Sequence, residues 1–125
     1  MGFREALDKH LEAIRARDLR SLAKTLPAEE LTLVMSDGRV ERTTRTFLDL
    51  HRDWFRQTSW SLDLKPISLV EAPEMGLATF CLDYSDASPE GGRTHQGSIL
   101  TLAFALQDGE WVMVLDQNTP IKVPS

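Results

Sequence analysis

The sequence predicts an α+β protein in which helices and one short hairpin come first and a long antiparallel meander follows. Three observations carry this expectation. Residues 45–57 place Phe47, Leu50, His51, Trp54 and Phe55 at i, i+3, i+4, i+7 and i+8, the stripe of an amphipathic helix. From Trp60 onward the apolar residues alternate, or run on in blocks of strand length. Gly97–Thr119 reads as two long apolar runs around Asp108-Gly109, a dipeptide suited to the positive-φ positions of a tight hairpin.

Taken in order, the first helix is expected over residues 3–17. Phe3, Leu7, Leu11 and Ile14 form its apolar stripe. Glu5 and Asp8 come early, Arg15 and Arg17 late, which suits the helix dipole. His10 lies beside the stripe and reads as a partly exposed position. Asp18 can cap a short second helix through Ala23, which Pro27 stops. Residues 31–35 form a strand, Ser36-Asp37-Gly38 turns it, and residues 39–42 return. Thr43 or Thr44 caps the third helix. Four strands follow, at 60–70, 77–84, 93–106 and 111–116. Pro73-Glu74 and Gly76 mark a turn, and the polar stretch 85–92 reads as a loop.

The length suits one domain spanning residues 1–125. A net charge of −5 without any basic cluster argues against nucleic acid or an anionic membrane as partner. No apolar run reaches the roughly 20 residues that span a bilayer. The opening MGFREALDKH is charged too soon for a signal peptide, and the lone Cys81 excludes an intrachain disulfide. A cytoplasmic protein is therefore expected, with Cys81 an inert residue of an apolar strand. No cofactor is expected: there is no phosphate-cradling glycine loop and no nucleophile elbow. His10, His51 and His95 are scattered, so no metal site is expected either.

Four strings sit in a familiar order over nearly the whole chain: AIRARDLRSL, LTLVMSDGR, FLDLHRDWF and LTLAFALQDGEWVMVLDQNTPI. Together they resemble the nuclear transport factor 2-like superfamily. That superfamily includes ketosteroid isomerase, SnoaL-like polyketide cyclases, kinase association domains and many bacterial proteins of no assigned role. The resemblance implies a cone-shaped, curved antiparallel sheet wrapped around the three helices, a cystatin-like fold. It also implies a homodimer formed through the outer sheet face. Counting from the Asp108-Gly109 turn, Thr101, Ala103, Val112, Val114 and Asp116 are expected to face into the cone. Leu100, Leu102, Phe104, Leu106, Trp111, Met113 and Leu115 are then expected outside, as an apolar patch that a second copy would cover.

The isomerases of this superfamily use a carboxylate base near the first hairpin and proton donors opposite it. Here Met35 falls nearest the base position, Asp37 is committed to its turn, and Thr101 stands where an acid donor would lie. That constellation is not matched, so the activity is not carried over. Two inward polar residues remain, His51 and Asp116. In contact they would form a general acid/base pair; apart, His51 would satisfy a backbone carbonyl. Trp54, Thr101, Val114, Asn118 and Tyr84 are the expected ligand contacts. Two functional classes follow. One is a protein that binds a small apolar molecule in the cone, with or without weak acid/base chemistry. The other is a non-catalytic dimerisation or association module.

Overall fold

The computed structural model describes residues 2–121. The first helix, α1, spans Phe3–Arg15 and buries Phe3, Ala6, Leu7, His10, Leu11, Ala13 and Ile14. It ends two residues before expectation because Arg17 takes a left-handed φ of 53°. The Asp18 N–H then bonds the Ala13 carbonyl (2.9 Å) and the Arg17 N–H the Ile14 carbonyl (3.1 Å). This is a Schellman termination with arginine where glycine is usual. The side chain offsets that strain: its guanidinium donates to the Gln57 and Trp60 carbonyls and lies 4.0 Å over the Trp60 ring.

Asp18 caps α2, Leu19–Ala23, by accepting from the Ser21 N–H. Strands β1 (Glu30–Val34) and β2 (Val40–Thr43) form the short hairpin. Thr43 caps α3, Thr44–Phe55, by accepting from the Thr46 N–H. The meander is β3 (Trp60–Glu71), β4 (Met75–Ala87), β5 (Arg93–Gln107) and β6 (Glu110–Pro120). At the last turn both Asp108 and Gly109 have positive φ, 51° and 81°, as a two-residue primed turn requires.

Strands β4, β5 and β6 outrun their expected ends. The polar residues of 85–87 and 93–95 pair with each other as strand, which leaves a loop of only 88–92. Gly76 belongs to β4 and not to a turn. A Cβ there would fall 2.4 Å from the Phe3 ring, so the glycine is what lets α1 settle onto the sheet.

The six strands form one curved, unclosed sheet in the order β2-β1-β6-β5-β4-β3. All pairs are antiparallel except β1 with β6, which run parallel. The hairpin was legible locally, but nothing in it said which later strand it would join.

The expected strand faces are overturned. Leu100, Leu102, Phe104 and Met113 lie in the core with Phe3, Leu7 and Leu11 of α1, and Trp111 packs against that core. They face the helices. Thr101 and Ala103 are on the opposite parity, paired with Gln117 and Leu115, and so face away. Leu106 is exposed at the sheet's end. Apolar residues on both parities of β5 and β6 hid which face was inward, and on β6 a β-bulge then reverses the parity once more. Ala103 pairs with Leu115 but Phe104 with Met113, so Val114 is an extra residue on β6. Asp116 lies beyond the bulge, beside the inward Leu102, and does face in. Cys81 is half-buried rather than in the core, between Lys65 and Ile99 on the face turned from the helices. Among the described residues no helix is long and apolar enough to cross a membrane.

Candidate functional site

A cavity of about 320 Å³ lies between α1, α3, β1 and the inner sheet face. Its walls are chiefly aliphatic: Leu11 and Ile14 from α1, Leu50 from α3, and Leu62, Leu64, Leu82 and Leu100 from the meander. Met35 and Ser36 border it at the end of β1. The polar groups of the lining are His51, Asp116, Asn118 and the exposed Ser36. Its size is at the low end for small-molecule sites, and apolar walls with a few placed polar groups are their usual makeup.

His51 occupies the centre of the α3 stripe. Its ring stacks on Phe47 (centroids 4.0 Å) and meets Trp54 and Phe55 edge-on. Its Nδ1–H donates to the Phe47 carbonyl one turn back, at 2.8 Å. Burial pushes its pKa down to about 4, so the ring is neutral at pH 7. Asp116 is buried, and desolvation pushes its carboxyl up to about 7 against the opposing hydrogen bond from Asn118. The Asn118 amide donates to Asp116 Oδ1 at 2.8 Å and to the Val34 carbonyl at 3.1 Å, tying β6 to β1 at the cavity wall.

His51 and Asp116 share the cavity but make no hydrogen bond with each other. Of the two alternatives the sequence left open, His51 takes the one in which it satisfies a backbone carbonyl, and the acid/base contact is not made. Trp54 borders the cavity, with one ring face stacked on Trp60 at 4.1 Å and its indole N–H donated to the Tyr84 hydroxyl at 3.2 Å. Tyr84 thus holds Trp54 from behind and does not line the cavity. Thr101 and Val114 do not line it either: the first faces away from the helices and the second is the bulge residue. Asp37 accepts from the Arg39 backbone and side chain, the turn role expected of it.

Sequence reasoning missed His10. It is fully buried, its Nδ1 lies 2.8 Å from Thr25 Oγ1, and its Nε2 has no partner among the described residues. Burial, reinforced by His51, pushes its pKa down to about 3. The signal was present: Phe3, Leu7, His10 and Ile14 step by four, three and four, which puts His10 on the stripe itself. Among the described residues no cluster of side chains could hold a metal ion.

The SnoaL-like domain family matches residues 4–118 of the chain. Comparison with curated proteins gives no match. In three dimensions the chain is similar to a nuclear transport factor 2-like superfamily protein from Salmonella enterica, with 17% identity and a TM-score of 0.75 over 97% of this chain and 89% of that one. It is similar to a ketosteroid isomerase-like protein from Erwinia carotovora, with 10% identity and a TM-score of 0.77 over 96% and 94%. It is also similar to the CaMKII association domain of C. elegans, with 14% identity and a TM-score of 0.70 over 93% and 91%. At these identities the likeness is one of fold.

Proposed function

The chain belongs to the SnoaL-like domain family, and from that premise we propose that it binds a small, mostly apolar molecule in the cavity beneath α3. The observation that supports this reading best is Asp116. A carboxyl set among leucine walls, with one oxygen that takes no hydrogen bond among the described residues and opens to the cavity, is placed where a bound molecule could use it. With its pKa near 7, both protonation states are populated at neutrality. Such a group can take a proton from a bound molecule or give one. Because His51 is turned to the Phe47 carbonyl, proton transfer would rest on Asp116 alone. Binding is thus the primary reading and chemistry an extension of it. Trp54 and Asn118 complete the contact surface.

The test is nuclear magnetic resonance with a panel of compact bicyclic and tricyclic compounds. Binders should move the Trp54 indole N–H and the Asp116 carboxyl resonances together. A panel that leaves both unmoved would sink the binding reading. An Asp116 that titrates near 4 would sink the proton-transfer extension alone.

A second reading is self-association through the sheet face turned from the helices, and a different observation favours it. Val70, Leu77, Ala103 and Leu115 are cross-strand partners in one row over β3, β4, β5 and β6. Met75 and Ala105 pair beside them. Val70, Met75 and Leu77 stay largely exposed in one chain, at 56%, 47% and 39%. Apolar residues contiguous over four strands suit a two-fold contact with a second copy. The similar fold of an association domain is in keeping with this. Sedimentation of the wild type as a dimer at micromolar concentration, and of Leu77→Asp as a folded monomer, is the expected outcome; a monomeric wild type would refute it.

A further inference from the structure

The hydrogen-bonding capacity of the cavity can be counted. His51 spends its one ring proton on the Phe47 carbonyl, so the neutral ring has only the Nε2 lone pair left to offer. Asn118 spends both amide hydrogens, on Val34 and Asp116. Reversing that amide would set its oxygen against two other oxygens, so its partners fix its orientation. What Asn118 has left is Oδ1, an acceptor. Asp116 Oδ1 is taken, while Oδ2 has no partner among the described residues and is not sealed from solvent. The Trp54 N–H is spent on Tyr84. The remaining hydroxyl of the lining, Ser36, is exposed at the rim. With Asp116 ionised, the deep wall presents acceptors and no donor.

We infer that the ligand brings the donor: an otherwise apolar molecule with a phenolic or enolic hydroxyl, which donates into the Asp116–His51 wall, rather than a ketone. This rests on the binding reading above. A hydroxyl donating to a desolvated carboxylate makes a charge-assisted bond, stronger the more acidic the hydroxyl. Against the ionised carboxyl, a ketone would bury its oxygen among acceptors and leave both sides unpaired. The titratable groups facing Asp116 across the cavity reduce to His51 of α3. The walls from α1, β1, β3, β4 and β5 contribute aliphatic chains, Met35 and Ser36.

The experiment compares 2-naphthol, 2-methoxynaphthalene, 2-acetylnaphthalene and naphthalene by ligand-observed magnetic resonance at about pH 8. There the carboxyl is ionised and 2-naphthol still holds its proton. 2-Naphthol should bind about tenfold or more tightly than each of the other three, as the cost of leaving a buried polar group unpaired requires. Asp116→Asn provides a second readout. Its amide would keep an oxygen toward Asn118 and turn an NH₂ donor toward the cavity. The preference should then move from 2-naphthol toward 2-acetylnaphthalene. Equal binding of all four, or tighter binding of the ketone by the wild type, would overturn this inference and leave the binding reading standing. Binding of none would overturn both.

Discussion

Phe3 and His51 are carried by two helices onto the same sheet face, yet the interior is filled under one and open under the other. Beneath the first half of α1, the Phe3 ring lies on Gly76 and against Phe104 and Trp111, and His10 meets Phe104 edge-on. Aromatic rings from helix and sheet interlock there. Beneath α3 the sheet offers Leu62, Leu64, Leu82 and Leu100, while His51 stacks on Phe47 of its own helix and Trp54 stacks on Trp60 of the edge strand β3. The His51 ring spends its face along its own helix, and Trp54 meets the sheet only at Trp60 and Tyr84, so neither ring fills the space over the leucines. The difference teaches that the cavity is set less by backbone shape than by where the large side chains stop meeting.

The comparison can be broken most forcefully at Phe104. Phe104→Ala should cost about 3–5 kcal/mol, because close-packed rings on several sides cannot collapse into the hole. Leu82→Ala, at the cavity wall, should cost less, about 1–2 kcal/mol, since that side chain is half-buried and already borders open space. Chemical denaturation of both variants decides the matter; equal losses would mean that the two halves are packed alike. Gly76→Ala tests the closed half from the other direction. With a contact of 2.4 Å to resolve, Phe3 must move and α1 with it. The expected loss is about 1–3 kcal/mol, and Gly76→Ala combined with Phe3→Leu should recover part of it. A neutral Gly76→Ala would show that α1 is held loosely.

Much of this arrangement could be read from the chain. The three helices, the Asp18 cap, a cap at Thr43 or Thr44 and the Asp108-Gly109 turn followed from local chemistry, and four strings carried the family resemblance. The strand faces did not. The runs at 99–106 and 111–115 are apolar on both parities, so no pattern distinguished inside from outside. The Val114 bulge left no mark in composition. Two errors then met on β6: the starting parity was inverted, and the missed bulge inverted it again. Asp116 was placed correctly for that reason, whereas Thr101, on a strand without the extra residue, was not. A one-residue slip reverses every side chain beyond it. Site residues on strands are legible only as far as the nearest irregularity, while His51 and Trp54, on a capped helix, needed no such count.

The subtlest contrast is in how acid and base act on the two halves. His10, in the closed half, stays neutral in the native state down to about pH 3, and His51, at the cavity, down to about 4. Unfolded, both take protons below about 6.5. Between those limits the unfolded state holds more protons at these sites, so each costs stability as pH falls. Asp116 does the reverse. It holds its proton up to about 7 when folded but only up to about 4 when unfolded. Across that window the native state holds the extra proton, so stability from Asp116 is lost as pH rises. Each fully engaged group contributes about 1.4 kcal/mol per pH unit. From about pH 4.5 to 6 the two histidines outweigh the one carboxyl, and stability should fall on acidification by about 1.4 kcal/mol per unit. Asp116→Asn removes the opposing member. The acid slope should then steepen toward about 2.8 kcal/mol per unit. His10→Gln should flatten the slope instead. Denaturant unfolding at half-unit pH steps measures all three. An acid slope unchanged in Asp116→Asn would mean that the carboxyl reaches water through the cavity and titrates alike in both states.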